Sequence, residues 1–262
     1  MCDRTSQIEL PAPTRPDKPP LTSVLMPAHN AQAWMSRAIR SVRDQRCEDW
    51  ELLVVNDASD DGTGAMARAA ASHDSRIRAL SSPHRLGAAK ARNMALAQAQ
   101  GRFIAFLDTD DAWHPDKLHL QIRFMRETGA ALSYTGFWRV RGAHEHEVRV
   151  PPEITRDGLL RGNVIGCLTA VYDSHALGKV PMPPLPLRHD FALWLDLLAR
   201  SGTARGLTRP LATHYRRKGS LSSNPLRALS ATWQLYRRHA ALDRASAAMC
   251  LSSHLIGRIL RG

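Results

Sequence analysis

Four times between residues 21 and 107, a short apolar run is followed by a polar loop. The runs fall at 21–26, 51–55, 76–80 and 103–107. Helix-patterned stretches at 33–46, 66–72 and 88–99 separate them; in the first, Trp34, Ala38, Ile39 and Val42 share one face. Strands joined through helices do not close as hairpins. They lie parallel, with right-handed crossovers, in a sheet covered on both faces. The predicted fold class is therefore α/β, a Rossmann-like, mostly parallel sheet flanked by helices. The loops after the runs (Pro27-Ala28-His29-Asn30, 56–63, 81–87 and Asp108-Thr109-Asp110-Asp111) gather along one sheet edge. In an open α/β sheet that edge is where ligands bind.

The fourth loop carries the most chemistry. Phe103 to Leu107 has the composition of a buried strand, and Asp108, Asp110 and Asp111 follow at once. Carboxylates crowded there repel one another, and a divalent cation is the natural compensation. Residues two apart on an extended segment point the same way. That pairs Asp108 with Asp110 as candidate ligands for Mn²⁺ or Mg²⁺ and turns Asp111 aside, to a cap or a supporting contact. Mg²⁺ commonly takes one or two protein carboxylates and fills its shell with phosphate oxygens and water. A turn with one aspartate N-cap is the plainer alternative, and it accounts for one carboxylate of the three. Arg85, Lys90 and Arg92 supply cations nearby. Arg92 lies close to a helix N-terminus, which favours anions; it faces either a nucleotide or solvent.

Beyond Pro115 the pattern predicts a helix to about residue 127, a strand at 131–140, a hydrophilic turn at 142–147, and a return strand at 148–150. Thr155 reads as the cap of a helix over 156–161, and 163–172 as a loop entering a strand. The proline-rich tract 180–186 excludes regular structure and predicts a loop able to move over a site. Arg188-His189-Asp190 introduces a strongly apolar helix. A last strand at 211–215 and helices at 226–242 and 244–260 end the chain. The expected division is a disordered leader over 1–20, a catalytic domain over 21–224, and a basic amphipathic helical tail over 225–262.

Charge is uneven. Of the net +12, the stretch from Arg200 to the end carries +11, twelve Lys or Arg against Asp243 alone. The tail either lies on an anionic membrane surface or docks on the domain. The four cysteines have no metal-like spacing, the leader lacks the apolar core of a signal peptide, and no apolar run is long enough to span a bilayer. A reducing, cytoplasmic setting follows, with peripheral contact at the cytoplasmic membrane face as an extension.

Several stretches together resemble the inverting, GT-A-type family 2 glycosyltransferases. They are VLMPAHN, ELLVVNDASDDGT, LGAAKARNMALAQAQGRFIAFLDTDDAWHPDKL and HDFALWLDLLARSG. NVIGCLTAVYD and HYRRKGSLSSN extend the likeness to bacterial teichuronic-acid and exopolysaccharide transferases. It covers residues 22–236. The resemblance implies a GT-A fold with a C-terminal helical extension and metal-dependent transfer of a hexose from a nucleotide-diphosphate sugar, usually UDP-linked. The acceptor it implies is a saccharide or lipid-linked, in surface polysaccharide synthesis. It implies that Pro27, His29 and Asn30 form the first nucleotide loop, that Asp57 reads the base, that Asp108 and Asp110 are the DXD pair, and that Asp190 is the catalytic base. From local sequence alone Asp190 reads equally as a helix N-cap. Two positions depart: Asn56 stands where the family has Asp, which bears on the nucleotide, and His189 where it has Glu or Gln, which bears on the acceptor or on Asp190. His189, His214 and Arg216 are candidate contacts for the diphosphate or acceptor, and Arg92 and Asp108 for the nucleotide.

Two other classes remain open. A sugar nucleotidyltransferase shares such a sheet but wants a glycine-rich basic loop after the first strand, and PAHNAQAW is neither. A non-catalytic protein binding nucleic acid or lipid through its basic tail would show a nucleic-acid signature, and none accompanies the charge; no nucleic-acid partner is expected. The oligomeric state stays open.

Overall fold

The computed structural model describes residues 19–216 and 225–261. The expected leader, apart from its last two residues, and the stretch 217–224 with Arg217 and Lys218 lie outside the described residues. The first four strands are β1 (Thr22–Ala28), β2 (Trp50–Asp57), β3 (Ile77–Ser82) and β4 (Phe103–Phe106). They alternate with α1 (Met35–Arg43), α2 (Thr63–His73) and α3 (Ala88–Gln98). They pair in parallel in the order β3-β2-β1-β4.

Strand periodicity divides the core. Val24 and Met26 of β1, Leu52 and Val54 of β2, and Phe103 and Ala105 of β4 join one apolar cluster. The residues between them, Leu25, Leu53, Val55, Ile104 and Phe106, join the other. This is the both-faces burial expected of a parallel sheet. The first cluster is closed by Met35, Ala38, Ile39 and Val42 of α1. Gly101 lets the chain pass against β1: a Cβ there would meet the Ser23 backbone nitrogen at 2.5 Å.

After β4 come β5 (Ala112–Trp113), α4 (Lys117–Thr128), β6 (Leu132–Arg141), β7 (His144–Val148), β8 (Glu153–Thr155), α5 (Arg156–Arg161), β9 (Val171–Asp173), α6 (Ser174–Leu177), α7 (His189–Ser201) and β10 (Thr203–Tyr215). A 3₁₀ turn, Cys167–Thr169, precedes β9. The sheet continues past β4 as β9-β6-β10-β5, with β7 on β6 and β8 on β10. β9 is antiparallel to both its neighbours and β10 runs parallel to β6, so this half is mixed. Thr155 caps α5 as its sequence predicts, accepting from the Gly158 N–H. β10 begins eight residues before the expected 211. The Pro210 that interrupts the pattern sits between two register shifts, an irregularity that absorbs a residue without an N–H.

The chain ends in α8 (Pro225–Gln234), a π turn (Leu235–His239) and α9 (Arg244–Arg261). These helices are not detached. Leu235, Tyr236, Ala240, Ala247 and Cys250 belong to the same apolar cluster as α7. Tyr236 donates to the Leu160 carbonyl and packs edge-on to Phe191, while His239 meets Asp196 at 2.8 Å. Docking on the domain is thus the arrangement of their inner face. Replacing Tyr236 by Ala should destabilise the whole domain by about 3–5 kcal/mol, as truncating a buried aromatic does, and Tyr236→Phe by about 1 kcal/mol. Urea unfolding measures both; a loss below about 1 kcal/mol for the alanine variant would mean that α8 and α9 are dispensable to the core.

Candidate active site

The loops at the C-terminal edge of β1, β2 and β3 hold one another. His29 Nδ1 donates to the Asp57 carbonyl at 2.8 Å, since a carbonyl can only accept. Asn30 accepts from the Asp60 N–H and takes the Ser59 hydroxyl on its own N–H. Asp57 is buried, and its two carboxylate oxygens accept from the Leu86 and Gly87 N–H groups at 2.6 and 2.9 Å. It therefore anchors the loop after β3, and its remaining lone pairs are what a base could use. Pro27 lies within β1, registered with Val55. Asn30 and Ala58 have φ of +47° and +50°. Non-glycine residues in that region signal stored strain, which clusters at ligand sites.

The centre of the edge is Arg92. It is 3 % exposed and comes from α3, not from a solvated surface. Its guanidinium forms an ion pair with Asp108 and reaches His189 Nε2 at 3.1 Å. Asp108 keeps it firmly protonated despite burial. His189 Nδ1 faces the Leu185 carbonyl at 3.2 Å. A carbonyl only accepts and a guanidinium only donates, so the imidazole is the neutral Nδ1–H tautomer. Burial, then Arg92, lowers its pKa. The adjacent Asn93 clasps Met182 through both its amide atoms, at 2.7 and 2.8 Å. The proline-rich tract expected to move is thus tied to α3 and α7, with Val180 and Met182 buried.

Asp190 occupies the first turn of α7. The cap position belongs to Arg188, at φ +64°, so Asp190 is not the N-cap. Arg188 donates from Nε to the Thr232 hydroxyl of α8 at 3.0 Å, which ties the C-terminal helices to this turn. Asp190 and Asp108 are both close enough to act electrostatically on Arg92 and on Cys167. Burial and these carboxylates push the Cys167 thiol well up, with Arg92 opposing.

On the other side of the acidic loop, Arg37 of α1 donates to the Asp110 carbonyl at 2.7 Å and stacks 3.6 Å from the Tyr215 ring. Asp111 is 2 % exposed and accepts from the Tyr215 N–H, the supporting contact its position predicted; burial, then Asp108 and Asp110, raises its pKa well up. His214 packs edge-on to Phe137 and is depressed by burial and Arg139, with Asp110 and Asp108 opposing. Arg216 is exposed, its backbone N–H on the Val140 carbonyl. Arg92, Asp108, His189 and Asp190 therefore converge. Asp110, His214 and Arg216 line the adjoining side, and His29, Asn30 and Asp57 form a separate rim.

The donor set suits a divalent cation of the Mg²⁺ or Mn²⁺ type. Asp108 and Asp110 offer hard carboxylate oxygens, one of them already shared with Arg92. No group of three or more His, Cys, Asp or Glu suited to a metal gathers among the described residues. Asp108 and Asp110 are the two carboxylates the acidic loop offers, and phosphate oxygens and water are what such a cation adds to a pair.

Sequence reasoning missed Arg37, Asn93, Cys167 and Lys117. Only the Arg92-Asn93 neighbourhood hinted at any of them. Residues 23–175 match the family model described as Glycosyl transferase family 2. The chain belongs to glycosyltransferase family 2. This membership leaves the nucleotidyltransferase and non-catalytic readings without support. TuaG of Bacillus subtilis (strain 168), named for teichuronic acid biosynthesis, is 38% identical over 234 residues, 88% of this chain and 93% of that protein. WfgD of Escherichia coli, named as a UDP-Glc:alpha-D-GlcNAc-diphosphoundecaprenol beta-1,3-glucosyltransferase, is 36% identical over 82% of this chain and 85% of its own. Among solved structures, S. aureus TarS 1–349 in complex with UDP-GlcNAc superposes with a TM-score of 0.68 at 19% identity, over 89% of this chain and 71% of that one. The mannosyltransferase PcManGT from Pyrobaculum calidifontis, in complex with GDP-Man and Mn²⁺, gives 0.66 at 17% identity, over 95% and 72%. The glycosyltransferase of this chain thus has a GT-A fold.

Lys117, packed over the Trp113 ring, makes a separate, measurable contribution. It is fully buried, 2.7 Å from Gln121 Oε1, and burial lowers its pKa from 10.5 to about 7. Between those values the unfolded chain binds a proton that the folded chain does not. Stability therefore rises with pH across this window; as pH falls it is lost between 10.5 and about 7 and levels off below, where both states carry the proton. Thermal unfolding should show the midpoint climbing from pH 7 to pH 9 in the wild type and a flatter profile in Lys117→Met.

Proposed function

We propose that this glycosyltransferase inverts configuration while moving a sugar from a UDP-sugar to a saccharide carried on a lipid diphosphate, in the synthesis of a bacterial surface polysaccharide. The observation that carries the reading is the convergence of the first turn of α7 on the acidic loop through Arg92 and His189. Relatives named for UDP-glucose and diphosphoundecaprenol acceptors support the substrate class.

In this reading the loops around His29, Asn30 and Asp57 hold the uridine, with Asp57 accepting from the base. Asp108 and Asp110 would hold Mn²⁺ or Mg²⁺, which would supply positive charge toward the leaving diphosphate. Arg92 fixes the orientation of Asp108. His214 and Arg216 offer donors toward the diphosphate or the acceptor. The Asp190 carboxylate takes the proton of the acceptor hydroxyl as its oxygen attacks the anomeric carbon from the face opposite the diphosphate. The new C–O bond forms as the bond to the phosphate oxygen breaks, and the diphosphate departs with the electron pair. His189, held neutral against Arg92, keeps a second cation away from Asp190.

Calorimetric titration with UDP should show binding with Mn²⁺ that is lost on adding EDTA and absent in Asp110→Ala. Asp190→Asn should bind UDP as the wild type does and lose transfer by about 10²–10⁴-fold, the usual worth of a general base. Binding of GDP in place of UDP would remove the uridine assignment, and undiminished transfer by Asp190→Asn would remove the base.

A further inference from the structure

α9 is apolar on two opposite faces, and among the described residues only one of them is buried. Ala247, Cys250 and His254 are buried on the inner face, His254 stacking on Phe191. The outward face carries Ala245, Ala248, Met249, Ser252, Leu255 and Ile256, with Arg244 at its edge and no acid. Met249 is 62% exposed, Ile256 57% and Leu255 39%, and on the contacting α8 Leu226 is 76% exposed. A solvent-facing helix of a soluble domain normally turns charged residues outward, and monomers rarely leave large apolar side chains grouped in this way.

We propose that the outward face of α9, with Leu226 of α8, rests on an anionic lipid surface. Charge chooses this occupant. The apolar face adjoins the exposed Arg227, next to Leu226, and Arg244, at the start of α9, in the part of the chain that holds +11 of the net +12. A second copy docked on the same patch would bring two such basic surfaces together, because a two-fold interface is self-complementary. An anionic bilayer instead attracts every one of these arginines while its acyl region receives the apolar residues. No helix among the described residues is long and apolar enough to cross a membrane, so α9 lies along the surface.

A groove of about 470 Å³ between α5 and α9 opens beside this face. Pro151, Ile154, Val164 and Ile256 line it, with Arg161 at its wall. Ile256 belongs to both the groove and the outward face, which makes the two continuous. This surface role goes beyond the glycosyl-transfer reading and involves no residue assigned to nucleotide or base.

Flotation of the full chain with vesicles tests it. Vesicles of phosphatidylcholine mixed equally with phosphatidylglycerol should carry the protein, pure phosphatidylcholine should carry far less, and raised salt should weaken the binding. The double variant Met249→Glu, Ile256→Glu should bind about tenfold less or weaker still, while keeping the wild-type unfolding midpoint and UDP affinity; both positions are exposed, so the fold tolerates them. Three outcomes would each overturn the proposal: no binding to the anionic vesicles, binding that the double variant leaves intact, or a dimer in sedimentation that the same variant dissolves. The vesicles hold neither nucleotide nor sugar acceptor. A failed UDP titration therefore leaves the surface standing, and failed flotation leaves the transfer reading standing.

Discussion

A buried guanidinium orders this molecule's functional edge. Arg92 has almost no contact with water, and a buried charge is tolerated only with compensation. Asp108 supplies the charge and His189 an acceptor, so three distant segments are drawn to one point: α3, the loop after β4, and the start of α7. Removing either partner would leave a charge buried alone, which explains why the arrangement is specific and not merely compact. Asn93, one residue on, extends the same tie to the proline-rich tract. What could have been a swinging loop is instead a strut between α3 and α7.

Backbone strain marks the same edge. Of the four non-glycine residues with positive φ among the described residues, Asn30, Ala58 and Arg188 lie at its loops, and Ala241 lies in the C-terminal helical region. Each is held by its surroundings: Asn30 by Asp60 and Ser59, Ala58 by its place after the doubly bonded Asp57, and Arg188 by Thr232 of α8. The last contact gives the C-terminal helices a part in shaping the site. They hold the turn that delivers Asp190, besides filling the core around Phe191.

The C-terminal helices realise the docking reading that their sequence allows. Their inner face docks on the domain, burying Tyr236, Ala247 and Cys250. Their outer face stays apolar among arginines. A pattern of charges and apolar residues cannot distinguish a helix covered once from a helix with two apolar faces, because periodicity reports that a face is apolar and not what lies against it.

Periodicity and loop composition made much of the fold legible. The four parallel strands, their helices, the capped α5 and the acidic turn after β4 all rest on patterns within a dozen residues, where local chemistry dominates. The family resemblance also named Asp57, Asp108, Asp110 and Asp190. Tertiary structure decided the rest. It placed β9 antiparallel beside β4, absorbed Pro210 in β10, buried Arg92, set the tautomer of His189, and buried Lys117 between Gln121 and the Trp113 ring. Each depends on segments far apart in the chain, and their meeting is set by packing two apolar cores against one sheet. A charged side chain reads the same in sequence whether water or the core surrounds it; only the fold determines which, and with it what that charge can do.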